Sequence, residues 1–147
     1  MTNVLIVAYG NPLRSDDALA WHVAEKLEVL PFVQPPVIHT CFQLTPEIAL
    51  PISDATTVIF IDAARDGEPG QVVTAEIHPK RQSSVFTHEF SPSVILELSR
   101  ELYKRLPARA FSVSMAGACF DHGEQLSEEV SKNLPHMVSV IQKIVND

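Results

Sequence analysis

Three stretches of the chain carry side chains that could do chemistry. The apolar run Val4-Leu5-Ile6-Val7 leads into "AYGNPLRSDDALAW" (8–21), with one glycine, a proline turn and the adjacent acids Asp16 and Asp17. "TVIFID" (57–62) is a buried-type strand that closes on Asp62, and "VFTHEFSP" brings His88 just ahead of a helix start. Two carboxylates and an imidazole make an oxygen/nitrogen donor set for a divalent transition metal such as nickel or zinc, or a set for acid–base work.

Other chemistries lack their signatures. Gly10 alone does not make a dinucleotide fingerprint. There is no phosphate-loop lysine, no GxSxG elbow and no Cys–His pair of recognised spacing. Cys41 and Cys119 are far apart and form neither a disulfide framework nor a zinc knuckle, so Cys119 reads as structural. A net charge of −7 argues against nucleic acid, whose phosphates need a basic face.

Each candidate also has a plainer role. Ser15 can cap the first helix, with Asp16 and Asp17 in its first turn, where acids interact well with the helix dipole. Neighbours on a helix point about 100° apart, so one acid can serve the helix while the other faces a cleft. Asp62 could make an Asx-type turn instead. Gly10 suggests backbone close to the cleft with positive φ. Asn11 either offers its amide to a substrate or turns the chain with Pro12. Trp21 projects from the polar side of its helix beside Glu25 and Glu28, where it meets a large partner or covers a neighbouring loop. His122, in "CFDHGEQLS", is the reserve imidazole; His22, His39, His78 and His136 read as surface or boundary residues.

The elements that must position these groups alternate. Strands are expected at 3–9, 37–42, 57–62, 71–77 and 110–115. Helices are expected at 16–30, 46–52, 92–106 and 127–145, with Thr45, Ser91 and Ser127 as N-caps. The stripes Leu19/Val23/Leu27/Leu30, Ile95/Leu98/Leu102/Leu106 and Val130/Leu134/Met137/Ile141/Val145 mark the buried faces. Pro135 is expected to kink or split the last helix. The whole 147-residue chain reads as a single α/β domain. Its architecture is a three-layer sandwich: a mostly parallel, twisted five-stranded sheet with helices on both faces. Only "AARDGEPG" (63–70) joins the third and fourth strands, too short for a parallel crossover, so the fourth should run antiparallel at an edge. Ligands of such sheets bind beyond the strands' carboxyl ends, where Gly10–Asp17, Asp62 and His88 would meet. The first apolar stretch has no basic residue before it and stops at Gly10, so neither a signal peptide nor a membrane span is expected, and the cytoplasm is.

"GNPLRSDDALAW", "VIFIDAARDGEPG", "FTHEFSPSVILEL" and "GEQLSEEV", in order, resemble the motifs of the hydrogenase maturation endopeptidases. Those enzymes trim the C-terminus of the large-subunit precursor of nickel–iron hydrogenases. The resemblance implies that Asp17 and Asp62 hold metal positions and are the candidate catalytic groups. It implies a histidine near the third helix as third ligand, assigned to His88, since Ser93 stands where some members carry a histidine after "SP". Ala18 replaces the glycine that usually follows the acidic pair. Gly10, Asn11, Asp16, Trp21 and Ser93 are then the substrate-contact candidates. The metal is expected to be nickel carried by the substrate, with zinc or cadmium able to occupy the site. The chain is expected to act as a monomer. Alternatives are an assembly factor that reads the metal site without cutting, or a small-molecule hydrolase using the carboxylate pair.

Overall fold

The computed structural model describes residues 3–81 and 90–147. Five strands form one sheet: β1 (Val4–Tyr9), β2 (Val37–Cys41), β3 (Thr57–Ala64), β4 (Val72–Glu76) and β5 (Arg109–Ala116), in the order β2-β1-β3-β5-β4. All neighbours run parallel except β4, which pairs antiparallel with β5 at one edge. The short 65–71 connection dictates that reversal, because it cannot cross back over the sheet.

Sequence composition follows strand position. β1 and β3 are central and covered on both faces, so Val4–Ala8 and Thr57–Ile61 are buried without alternation. The edge strands β2 and β4 are largely exposed. Helices α1 (Leu19–Glu28) and α4 (Glu128–Asn146) cover one face. There Leu19, Val23, Leu27, Val130, Met137 and Ile141 pack on Ile6, Ile59 and Ile61. Helices α2 (Ala49–Asp54) and α3 (Pro92–Tyr103) cover the other, where Ile52, Ile95 and Leu96 pack on Leu5, Val7, Val58 and Phe60. The two cores sit back to back across the sheet.

Several local expectations are corrected. The first helix is a 3-10 turn over Ser15–Ala18 followed by α1, and Ser15 does not cap it. Ser15 takes a left-handed φ of 51° and its Oγ donates to the Asp121 carbonyl at 2.8 Å. Thr45 makes no side-chain cap either, whereas Ser91 and Ser127 accept from Val94 N and Val130 N, each at 3.3 Å. On α3 the buried residues are Ile95, Leu96, Glu97 and Ser99, while Leu102 is 56% exposed. Ser99 earns its buried place by donating to the Ala49 carbonyl at 2.9 Å, which lets α2 and α3 approach. α4 runs as one element through Pro135, so the proline does not split it. The proline removes one hydrogen bond, but Val130 and Leu134 before it and Met137 and Ile141 after it are anchored in one core.

Candidate active site at the β1/β3 crevice

The order β2-β1-β3 means that the chain leaves β1 towards one side and later returns on the other. The connections also go to opposite faces, since α1 lies in one core and α2 in the other. A crevice therefore opens at the carboxyl ends of β1 and β3, the place where open α/β sheets bind ligands. The register sets Ala8 beside Ile61, and so places Tyr9 beside Asp62. Side chains alternate along a strand, so Tyr9 follows Leu5 and Val7, and Asp62 follows Val58 and Phe60, onto the face covered by α2 and α3.

The lip of the crevice is the segment after β1. Gly10 has φ 149° and its N–H donates to the Cys41 carbonyl at 3.2 Å. A Cβ on Gly10 would lie 2.1 Å from the Asp17 carbonyl oxygen, so only glycine fits. The Asn11 side chain accepts from Leu13 N at 2.9 Å, the Asx-type turn, and Asn11 N–H donates to Asp17 Oδ2 at 2.7 Å. Asp17 Oδ1 has no protein hydrogen-bond partner among the described residues. The Trp21 indole N–H donates to the Gly10 carbonyl at 2.8 Å, and its ring meets Phe42 edge-on at 6.0 Å. Trp21 thus braces the lip, the neighbouring-loop alternative for this residue.

Asp17 and Asp62 are close enough for the Asp17 charge to act on Asp62. Burial pushes the Asp62 carboxyl up to about 6; the Tyr9 hydroxyl, directed at it, pulls down, and the Asp17 charge adds to the rise. A carboxyl in that range can take or give a proton near neutral pH. Burial, followed by the Asp62 charge, raises the Tyr9 hydroxyl well above the ordinary phenol range, so it stays a donor. Burial likewise raises the Cys41 thiol, which sits beside Tyr9 in register, and this works against a thiolate nucleophile there.

Asp16 is a correction. It is fully buried and makes no surface for a substrate. Its Oδ2 accepts from Ala118 N (2.7 Å), Cys119 N (3.0 Å) and Ser127 Oγ (2.8 Å), and its Oδ1 from Ser127 N (2.7 Å). Burial works to raise its carboxyl, but the bonds from Ser127, Ala118 and Cys119 outweigh that and hold it below the ordinary range.

The remaining candidates are dispersed. Ser93 lies half-buried in the first turn of α3, where its carbonyl accepts from Lys80 N at 3.0 Å. His122 is exposed on a loop whose neighbours Asp121 and Gly123 bond to Ser15. His88 lies outside the described residues. Among the described residues no group of three His, Cys, Asp or Glu is placed to hold a metal ion. Their contribution is a carboxylate pair, Asp17 and Asp62, an oxygen set of the kind divalent ions accept. Tyr9 is the crevice residue that sequence reasoning missed. Its signal was present: the end of a central strand, in phase with Leu5 and Val7.

No helix of the described residues is long and apolar enough to cross a membrane. No protein-family model matches the sequence, and no curated protein matches it. Solved structures do. The hydrogenase maturating endopeptidase HybD from E. coli superposes with a TM-score of 0.78 at 18% identity, over 98% of this chain and 92% of that one. The [NiFe] hydrogenase maturation protease HycI from Thermococcus kodakarensis KOD1 gives 0.77 at 23%, over 99% and 94%. HybD from Thermococcus kodakarensis gives 0.73 at 22%, over 97% and 99%. Across almost its full length, this chain is folded as those maturation proteases are.

Proposed function

We propose that the chain is an endopeptidase that removes the C-terminal extension of a nickel–iron hydrogenase large-subunit precursor once nickel is in place. The observation that supports this most is the fold shared with the maturation proteases, which sets Asp17 just past the end of β1 and Asp62 near the end of the neighbouring β3. Nickel here belongs to the substrate. Asp17 offers Oδ1, and Asp62 offers a carboxylate that is mostly ionised above about pH 6. His88 is assigned as the third ligand on its place in the sequence ahead of the third helix and on the resemblance. Nickel seated in the precursor would orient the cleavage segment across the crevice and polarise the scissile carbonyl.

In the hydrolysis, water attacks the scissile carbonyl and gives up a proton, and the peptide nitrogen leaves as an amine carrying one. Asp17 and Asp62 are the candidate acceptors of the first proton. The protein works as a monomer in the cytoplasm on this reading. The test is electrophoresis and intact mass of a nickel-loaded precursor after incubation with the protein. Wild type should trim it, and Asp17→Ala, Asp62→Ala and His88→Ala should each lose about 10³-fold in rate while staying folded. Normal trimming by all three variants would end the proposal. A stable complex with unchanged precursor mass would reassign the chain to a non-cleaving assembly factor. Turnover of small substrates without any precursor would point to a small-molecule hydrolase.

A further inference from the structure

The buried carboxylate of Asp16 is used by nothing in the chemistry above, yet among the described residues it is the most heavily bonded side chain at the crevice. Its four donors all come from the connection between β5 and α4, 102 to 111 residues further along the chain. The same connection meets the lip again through the main chain. Asp16 N–H donates to the Cys119 carbonyl at 3.0 Å, Ser15 N–H to the Gly123 carbonyl at 2.9 Å, and Gly123 N–H to the Leu13 carbonyl at 2.9 Å. Arg14 and Gly123 form a parallel bridge. The 3-10 turn that carries Asp17 is thus fastened to the β5–α4 connection by one carboxylate and a short strip of backbone.

This arrangement fixes a direction. With the Asp16 side chain turned into the protein and its backbone held at Cys119, the next residue of a tight turn must project elsewhere. Asp17 turns back over the lip, where Asn11 N–H holds one oxygen at 2.7 Å and Oδ1 has no hydrogen-bond partner among the described residues. We propose that Asp16 is a positioning residue: by clamping the β5–α4 connection it sets where the Asp17 carboxylate points. The inference rests on the proposed endopeptidase reading for its consequence, but its geometry can be tested apart from it.

The conservative probe is Asp16→Asn, which keeps the shape. Asparagine can keep its oxygen at the Oδ2 position, but its NH2 group then faces the Ser127 N–H, donor against donor. The second probe is Ser127→Ala, which keeps the carboxylate and removes only the 2.8 Å hydroxyl bond and the α4 cap; Ser127→Thr restores a hydroxyl. The first readout does not depend on proteolysis: hydrogen exchange of the Asn11 amide, followed by NMR in the intact protein. In Asp16→Asn its protection should fall at least tenfold, while the β1 and β3 core amides are unchanged. The second readout is precursor trimming per folded molecule. kcat should fall at least tenfold with KM within twofold, Ser127→Ala should show a smaller loss in the same direction, and Ser127→Thr should recover most of it.

An Asn11 amide that stays protected in Asp16→Asn would overturn the inference, as would kcat at the wild-type level in Asp16→Asn. If Asp16→Asn does not fold, Ser127→Ala decides: lost stability with unchanged Asn11 exchange means a merely structural role. If the wild type trims no precursor, the endopeptidase reading has failed, and the exchange experiment still decides whether Asp16 aims Asp17.

Discussion

The lip after β1 and the turn after β3 leave the same edge of the sheet and are built by opposite rules. In the lip, the N–H groups of Gly10, Asn11, Leu13, Arg14, Ser15, Asp16 and Asp17 all donate within the protein. In the β3–β4 turn, Arg65 to Pro69 are exposed, and its bonds lie at the far end, from Gly70 N to the Ala116 carbonyl and from Gln71 N to the Glu68 carbonyl. The difference follows from where each acid sits. Asp62 is inside β3, paired in register with Ser114, so the sheet itself aims it and the turn beyond is free to be loose. Asp17 lies past the end of β1, and a loop can aim a carboxylate only if other parts of the chain hold the loop.

The contrast can be broken hardest at the two glycines. Gly10→Ala must push a methyl group into the Asp17 carbonyl and should destabilise the protein by about 3 kcal/mol or more, about 10 °C in Tm. Gly67→Ala, with φ 100° but nothing nearer than 3.5 Å, should cost only about 1 kcal/mol of backbone strain. Thermal unfolding of the pair checks this, and equal losses would erase the distinction between lip and turn.

A second prediction sharpens it at Asp62. This carboxyl binds its proton more tightly folded than unfolded, so the stability it contributes is present below the ordinary value of 3.8 and is lost as pH rises through about 6. The shift would correspond to about 3 kcal/mol, which partial exposure reduces to about 1–2 kcal/mol. Asp62→Asn should therefore be the more stable protein at pH 7.5 by that amount and should lose the advantage below pH 4, as urea unfolding at the two values would show. A gain independent of pH would mean that burial is not what raises this carboxyl. The smallest effect is expected at Trp21→Phe. It removes the bond to Gly10 and keeps an aromatic ring near Phe42, for about 1 kcal/mol and faster exchange in the lip alone.

The frame was legible in the sequence because it rests on local rules. The fourth strand's reversal followed from a connection too short to cross, and the α1 and α4 stripes followed from helical spacing. Three of the misreadings involve polar side chains whose partners are distant. Ser99 takes a core position because Ala49 offers a carbonyl. Ser15 resembles a helix cap but serves Asp121. Asp16 resembles a helix-start acid, and nothing local reveals the four donors waiting at 118–127. Spacing along the chain cannot report such pairings, since they exist only once the sheet has brought the two loops to one edge.

Trp21 is the chain's one tryptophan, and its indole is bonded to the lip it braces. Intrinsic fluorescence of the unlabelled protein is therefore a signal from one place only, the rim of the crevice. Emission colour and quenching in a stopped-flow mixing experiment would time the arrival of a metal ion or a protein partner there, with no other indole to dilute the record.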